Sequence, residues 1–233
     1  MKISLKKIKG VLKKIMSYMI DIHARKSYSQ EGEDLILARV FEQVERGFYV
    51  DVGALDPKRF SNTHLFYQKG WSGINIDATP GSMEQFKHIR PRDINLEIAI
   101  SATKKTMTFF VFNESALNSF DRELSKSRNK GNYHIQEEIQ ISTQTLKEVL
   151  AKYASPKQKI SFLSVDVEGL DLEVIQSNDW NQFRPEYVLI ECLDLDFKQI
   201  TENSVYQFMC EHGYTFFAKT VYTVIFKDIT HSC

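Results

Sequence analysis

The sequence has few cysteines, few prolines and glycines, and no long apolar run. Its three cysteines (Cys192, Cys210 and Cys233) form no C-x-x-C pair, which excludes a disulfide framework and a cysteine zinc site. The 10 glycines and 5 prolines exclude collagen-like and low-complexity material. No apolar run reaches the ~20 residues that cross a bilayer, and the N-terminus lacks a secretion signal. We therefore expect a cytoplasmic protein.

The composition is that of a folded domain. Hydrophobic residues make up 42% of the 233 residues and aromatic residues 12%, which excludes intrinsic disorder. A chain of this length can bury one large core. We find no internal repeat and no linker, so one domain over residues 28–233 is expected, preceded by an extension of residues 1–27.

The extension carries an uneven share of the charge. Residues 1–26 hold eight basic residues against one acid, Asp21, although the whole chain has a formal net charge of zero. Apolar residues within it recur at helical spacing, which predicts a basic amphipathic helix. Two alternatives are open: peripheral contact with an anionic membrane, or docking on the acidic body of this chain or of a second copy in a homo-oligomer. Nucleic acid is not expected, because the body is acidic and carries no recognition motif.

Strand and helix patterns alternate from about residue 28. Strands are predicted at 47–52, 74–77 and 94–100, and fully buried strands at 160–165 and 187–192. Helices are predicted at 30–41, 62–69, 80–88, 143–153, 170–177 and 204–212. Further strands are expected at 106–112 and 139–141, with a loop or short helix at 113–134 and a final strand pair at 214–219 and 221–227. This alternation predicts an α/β fold, a mostly parallel sheet covered by helices on both faces and ending in an antiparallel edge.

Acidic residues stand where four of the predicted strands end. They are Asp51, Asp77, Asp166 with Glu168, and Glu191. In open parallel sheets, ligands bind outside the carboxyl ends of the strands. We therefore expect these carboxylates to converge on one ligand site.

The spacing of these residues narrows the class of ligand. Gly53 allows backbone to approach a ligand closely, and Asp77 is placed to accept hydrogen bonds from ribose hydroxyls. The loop lacks the G-x-G-x-x-G pattern that holds a pyrophosphate, which argues against a dinucleotide. S-adenosylmethionine has a ribose and a positive amino group but no phosphate. An NAD-dependent oxidoreductase and a non-catalytic, membrane-associated module that binds the cofactor remain the alternatives.

Four stretches give the sequence a specific resemblance. They are YSQEGEDLILARVF (28–41), FYVDVGALDP (48–57), SNTHLFYQKGWSGINIDATP (61–80) and SFLSVDVEGLDLEVI (161–175). The chain resembles the FkbM family of S-adenosylmethionine-dependent methyltransferases over nearly all of residues 28–228. The resemblance implies the seven-stranded class I methyltransferase (Rossmann-like) sheet, with an antiparallel last strand. It also implies O-methylation of a sugar or natural product, and a role in a surface-polysaccharide pathway.

The resemblance also implies roles for individual residues. Asp51 and Gly53 would line the methionine end of the cofactor, and Asp77 its ribose. The adenine would be flanked by Ala78, Ala99 and Ile100. Gln30 and Glu31 belong to a segment that would close over the cofactor. Two departures from the family pattern are His64, where an aromatic or aliphatic residue is expected, and residues 113–131, the acceptor-facing loop.

Asp166 and Glu168 are the candidates for catalysis. Methylation of a hydroxyl requires that its proton be removed, and a carboxylate within reach can act as the general base. Alternatively, Asp166, Glu168 and Glu191 hold Mg²⁺ or Mn²⁺, which lowers the pKa of the hydroxyl. In a third reading, Glu168 caps the following helix and Asp166 binds only the amino end of the cofactor. His64 is a further candidate base, whereas Trp71 and Trp180 are expected to pack in the core.

Overall fold

The computed structural model describes residues 24–192 and 197–230. The predicted amphipathic helix and its membrane or subunit contact fall almost entirely on residues 1–23, outside the described residues, as does Cys233. In the described part of the chain, no helix is long and apolar enough to span a bilayer.

Helices and strands alternate through most of the described chain. The α-helices are Glu33–Val40 (α1), His64–Gln68 (α2), Met83–Ile89 (α3), Arg122–Arg128 (α4), Leu146–Tyr153 (α5), Asp171–Gln176 (α6) and Ser204–Glu211 (α7). The strands are Phe48–Val52 (β1), Ser72–Asp77 (β2), Ile94–Glu97 (β3), Ala99–Ile100 (β4), Thr106–Phe112 (β5), Ile135–Gln144 (β6), Phe162–Val165 (β7), Tyr187–Glu191 (β8), Tyr214–Lys219 (β9) and Thr223–Asp228 (β10). Two 3₁₀ turns, Ser115–Leu117 and Phe197–Glu202, complete the set.

The main sheet has seven strands in the order β3-β2-β1-β7-β8-β10-β9. Strands β3, β2, β1, β7 and β8 run parallel, and β10 is antiparallel to both of its neighbours. The α/β class, the mostly parallel sheet and the antiparallel last strand are therefore confirmed. The structure adds that β10 inserts between β8 and β9, so the antiparallel strand lies one position inside the edge.

The two faces of the main sheet bury different side chains. Val50 and Val52 of β1 pack with apolar residues of α5, α6 and α7, whereas Tyr49 packs with α1 and α2. This division follows from the alternation of side chains along a strand. Trp71 and Trp180 are both buried in the core, as predicted.

A separate three-stranded sheet, in the order β4-β6-β5, differs most from the predictions. The strand predicted at 94–100 is divided in two: β3 ends at Glu97, and β4 joins the second sheet by pairing with β6. Strand β6 covers ten residues rather than the three predicted. Its polar sequence carries little strand signal, and its extended form depends on the antiparallel ladder with β5.

The first residues of α5 and α1 are set by local backbone and side-chain interactions. The Thr145 hydroxyl accepts a hydrogen bond from the Glu148 amide in a capping box at the start of α5. Helix α1 begins at Glu33 rather than near residue 30, because Gly32 adopts a φ of 90° that interrupts the helix. Residues 29–32 are thereby left as a turn next to the carboxyl edge of the sheet.

Candidate active site

A cavity of about 740 Å³ lies at the carboxyl edge of the main sheet. The ends of β1, β2 and β7 form one side, and β4, β5 and the segment after β5 form the other. Its walls include Gln30, Gly53, Leu55, Phe60, Asp77, Ala78, Thr79, Ile98, Ile100, Phe109, Ser115, Asn118, Phe120, Asp166 and Glu168.

Gly53 holds the ends of three strands together. Its amide donates to the carbonyl oxygen of Ile76 at 2.9 Å, and its φ is 87°. A Cβ at this position would overlap the carbonyl oxygen of Asp166. Only glycine therefore allows β1 and β7 to approach as they do beside the cavity.

Asp77 places a buried carboxylate on the cavity wall. Its Oδ2 accepts from the Leu55 amide at 2.9 Å, and its Oδ1 accepts from the Thr79 amide at 2.7 Å. Burial raises the pKa of Asp77, although these hydrogen bonds act in the opposite direction. Each carboxylate oxygen has a second lone pair for a ligand hydroxyl.

The apolar wall differs by one residue from the wall expected from the resemblance. Ala78 and Ile100 line the cavity as expected, together with Ile98 and Phe109. Ala99 does not line it: this residue is buried and pairs with Thr143 of β6. Ile98 and Ile100 share one side of an extended segment, so the intervening Ala99 faces the other way.

Asp51 does not line the cavity. Its Oδ2 accepts from the Thr63 hydroxyl at 2.8 Å on the opposite face of β1. Burial raises its pKa to about 6, because the Thr63 hydrogen bond and the charge of Arg90 only partly offset the loss of solvent. Its role at the methionine end of the cofactor is untested, and its observed contacts are those of a supporting residue.

Arg90 is the centre of the network that supports Asp51. It is fully buried and forms an ion pair with Asp93 at 2.9 Å. Its guanidinium also donates to the Tyr49 hydroxyl at 2.8 Å and to the Thr63 hydroxyl at 2.9 Å. Sequence reasoning missed this residue, since arginine outside a motif is normally taken as a surface residue.

Three carboxylates meet where this cavity adjoins a second, smaller one: Asp166 and Glu168 line the first, and Asp166 and Glu191 line the second. Oxygens of Asp166, Glu168 and Glu191 lie within 4.8 Å of one another. Burial, and then the charges of Glu191 and Glu168, raise the pKa of Asp166 well above its usual range. The pKa of Glu191 is raised to about 8, by burial first and then by the neighbouring acids. The convergence expected from the strand ends thus holds for these three residues.

The segment between β5 and β6 covers the cavity and supplies a cation. Nη2 of Arg128 in α4 lies 2.6 Å from Oε2 of Glu168, and the Ser119 hydroxyl donates to the Glu168 carbonyl at 2.6 Å. Glu168 does not cap α6, so that part of the third reading was wrong. Asp171 instead accepts from the amides of Val167 and Gly169, at 3.1 and 3.2 Å.

His64 lies away from the cavity in a buried position. Its ring packs edge-on against Tyr28 with 4.5 Å between ring centroids, and its Nδ1 has no hydrogen-bond partner among the described residues. Burial, followed by the positive charges of Arg90 and Lys58, lowers its pKa to about 4. A ring with this pKa is a weak base at neutral pH, so the geometry does not favour His64 as the general base.

Gln30 and Glu31 border a second, smaller cavity of about 290 Å³. Gln30 lines both cavities, and Glu31 accepts from the Tyr222 amide at 2.9 Å. Asp34 anchors the segment by accepting from the Ser27 hydroxyl at 2.7 Å and from the Tyr28 amide at 2.8 Å. The segment before α1 is therefore tied down beside both cavities.

Strained backbone is concentrated at these cavities. Leu55, Phe60 and Glu168 have φ values of 51°, 55° and 55°, in the left-handed region that side chains rarely adopt. All three line the larger cavity. Strain of this kind persists where the surrounding structure holds it, often at functional sites. None of these loop conformations was predicted from the sequence.

The sequence matches the family described as Methyltransferase FkbM domain over residues 51–216. The chain belongs to the FkbM methyltransferase family. No curated protein and no solved structure matches it. The matched range contains the ends of β2 and β7, where Asp77 and Asp166 lie, and the whole of the second sheet.

Membership of the FkbM family supports a methyltransferase function and S-adenosylmethionine as the general cofactor. The residues of the larger cavity fit that cofactor. Asp77 offers acceptors for ribose hydroxyls, and the apolar wall formed by Ile98, Ile100 and Phe109 offers a surface for adenine. The carboxylate cluster offers negative charge for the positive methionine end.

Proposed function

We propose that this chain catalyses S-adenosylmethionine-dependent O-methylation of a sugar or a sugar-containing metabolite. The observation that carries the proposal is the position of Asp166. It lines both the larger cavity, whose walls suit the cofactor, and the smaller cavity beside it. A carboxylate at that junction lies between a bound methyl donor and a bound hydroxyl.

The larger cavity supports cofactor binding through residues with separate roles. The Asp77 carboxylate would accept hydrogen bonds from the ribose hydroxyls, and Ala78, Ile98 and Phe109 would border the adenine. Asn118, whose Nδ2 donates to the Thr79 hydroxyl at 3.1 Å, keeps an amide group at that wall. When bound, S-adenosylmethionine supplies a methyl group already activated by a sulfonium, so the chain contributes mainly positioning.

Asp166 is the residue best suited to remove the hydroxyl proton. Among the described residues, no donor satisfies its carboxylate, whereas Glu168 is engaged by Arg128. Its raised pKa makes it a stronger base than an ordinary aspartate. The proton of the acceptor hydroxyl would pass to an Asp166 oxygen while the methyl group moves from the sulfonium sulfur to the hydroxyl oxygen, which would leave S-adenosylhomocysteine and the methyl ether.

Mg²⁺ or Mn²⁺ on Asp166, Glu168 and Glu191 is the alternative way to activate the hydroxyl. The three carboxylates lie close enough to share an ion. However, the guanidinium of Arg128 already occupies one oxygen of Glu168 at 2.6 Å. This fixed cation offsets part of the cluster's charge, which favours direct base catalysis over metal assistance.

The loop after β1 argues against a dinucleotide enzyme. A pyrophosphate site of that kind requires a helix that starts directly after the strand, with its amides aimed at the phosphates. Here β1 ends at Val52 and α2 begins only at His64. A non-catalytic cofactor-binding module would share the cavity but lack turnover, so only an activity measurement separates it from the enzyme.

The proposal is tested by incubating the full chain with S-adenosylmethionine and a panel of neutral oligosaccharides. Mass spectrometry should detect a gain of one methyl group on a hydroxyl, together with S-adenosylhomocysteine. The Asp166→Asn variant should give neither product above background. Binding of S-adenosylhomocysteine with no turnover on any acceptor would favour the non-catalytic module, and failure to bind it would contradict the cofactor assignment.

A further inference from the structure

The smaller cavity differs in chemistry from the larger one. It is bordered by Gln30, Glu31, Glu33, Phe60, Asn62, Asp166, Glu191, Tyr222 and Thr223. Gln30, Phe60 and Asp166 also line the larger cavity, so the two are adjacent across the Asp166 carboxylate. A group bound in the smaller cavity therefore lies beside the residue proposed to remove the proton.

The acidic residues of the smaller cavity fall into two kinds. Glu31 accepts from the Tyr222 amide, and Glu33 accepts from the Glu31 amide at 2.9 Å and from the Thr223 hydroxyl at 3.2 Å. These two carboxylates are engaged in holding the wall together. The side chains of Asp166 and Glu191 accept no hydrogen bond from any described residue, which leaves them available to a ligand.

The remaining polar group is an amide. Asn62 Nδ2 donates to the Ser164 hydroxyl at 3.0 Å, which orients the side chain and leaves its carbonyl oxygen as an acceptor. The side-chain amides of Asn62 and Gln30 therefore line the smaller cavity beside the two free carboxylates. Such groups accept hydrogen bonds from neighbouring hydroxyls of a ring.

Two aromatic side chains with exposed surface border the same cavity. Phe60 and Tyr222 expose 42% and 41% of their surface. The backbone of Phe60 is held at a φ of 55°, so its placement is imposed by the surrounding loop. The Arg59 guanidinium lies 4.5 Å from the centre of the Phe60 ring, so the Tyr222 ring and the exposed remainder of Phe60 offer the apolar surface against which the C–H groups of a sugar ring pack.

The charge around the smaller cavity is of one sign. Its described lining residues include four carboxylates and no lysine, arginine or histidine. Two arginines of the adjoining segments are already paired, Arg128 with Glu168 and Arg59 with Glu114 at 3.1 Å. Above pH 8, where Glu191 is ionised, an anionic group placed here would meet net repulsion, because the four carboxylates outnumber Arg128, whose charge also reaches Glu191.

We infer that the smaller cavity is the acceptor subsite and that it takes an uncharged polyhydroxylated ring. Glu191 excludes acceptors that bear a carboxylate or phosphate near the reacting hydroxyl. The inference rests on the proposed function and adds where the acceptor binds and which acceptor charge the subsite selects. Glu191 is a specificity-determining residue in this scheme, and Asp166 is the base.

The test compares two matched probes, glucose and glucuronic acid, by ligand-observed NMR titration at pH 8.5 with S-adenosylhomocysteine present. The wild-type chain should bind glucose at least tenfold more tightly than glucuronic acid. Glu191→Lys should reverse the preference by raising affinity for glucuronic acid at least tenfold, and Glu191→Gln should narrow the gap about threefold. Glu211→Lys, on an exposed position of α7, should leave both affinities unchanged.

Equal wild-type binding of the two probes, or binding of neither, would overturn the inference. So would an unchanged preference in both Glu191 variants, and the glutamine variant keeps the test valid if the lysine variant fails to fold. Calorimetry with S-adenosylhomocysteine alone is run on the same samples. Loss of that binding would count against the proposed function, whereas intact cofactor binding with the wrong sugar preference would count against the acceptor subsite alone.

Discussion

Gly53 lies directly against the backbone of Asp166, so that the end of β1 and the end of β7 share one packed junction. A Cβ on Gly53 would overlap the Asp166 carbonyl oxygen, and the Asp166 amide donates to the Val52 carbonyl at 3.0 Å. Gly53, which lines the larger cavity, is thus also the residue packed against the backbone of the proposed base.

Replacing Gly53 by alanine should therefore disrupt the junction. The backbone strain and the overlap together should lower the free energy of unfolding by roughly 2–5 kcal/mol. Gly70→Ala is the matched control: Gly70 also has a positive φ, of 92°, but no atom lies within 4 Å of its added Cβ. It should lose only about 1–2 kcal/mol. Thermal unfolding of both variants measures the difference, and equal midpoints would contradict the close packing.

Asp77→Asn should weaken cofactor binding at least tenfold. The substitution replaces one of the two acceptor oxygens, so it removes a hydrogen bond from either the Leu55 or the Thr79 amide and one from a ribose hydroxyl, and each such bond is worth roughly 0.5–1.5 kcal/mol. Calorimetry with S-adenosylhomocysteine measures the change. Asp179→Asn, at a surface ion pair with Lys147, serves as the control. Unchanged affinity in the Asp77 variant would refute the ribose assignment.

Asp166→Asn should lower kcat by about 10²–10⁴-fold and leave the affinity for S-adenosylhomocysteine within about threefold. If Asp166 only binds the amino end of the cofactor, the affinity should fall and kcat at saturation should be retained. Because burial and the neighbouring acids raise the pKa of Asp166, wild-type activity should rise with pH through a value well above that of an ordinary aspartate. A pH–rate profile that is flat from pH 5 to 9 would argue against this base.

Chelation of divalent cations distinguishes direct base catalysis by Asp166 from metal-assisted activation of the hydroxyl. With Asp166 acting as a direct base beside the Arg128–Glu168 pair, activity should be unchanged in EDTA. Loss of activity in EDTA, restored by Mg²⁺ or Mn²⁺, would instead assign the ion to Asp166, Glu168 and Glu191. Dialysed enzyme assayed with and without added cation provides the measurement.

Glu191→Gln should stabilise the chain at high pH and not at low pH. The folded-state pKa of Glu191 is about 8, above the unfolded value of 4.5, so the folded state holds this proton more tightly. The free energy of unfolding therefore falls as pH rises from about 4.5 to 8. At pH 9 the variant should melt roughly 2–4 °C higher for each kcal/mol of relieved repulsion. Glu211→Gln should show no such pH dependence, and identical shifts in both variants would contradict the buried cluster.

The amino-acid sequence by itself determined the class of fold and the edge where the site lies. Apolar runs such as residues 160–165 and 187–192 are long enough only for buried strands, and the alternating helices make their sheet parallel. The carboxyl ends of parallel strands share one edge, so the positions of Asp77, Asp166, Glu168 and Glu191 along the chain are enough to group them.

Only the tertiary structure decided which side chains reach the cavity. Asp51 faces Thr63 and Arg90 because the alternation along β1 turns it away, and Ala99 is turned away beside Ile98 and Ile100. The pairing of β6 with β5, the burial of Arg90 and the Arg128–Glu168 contact join residues far apart in the chain. Contacts of that kind leave no local periodic signal, because their energy comes from surfaces that meet only after folding.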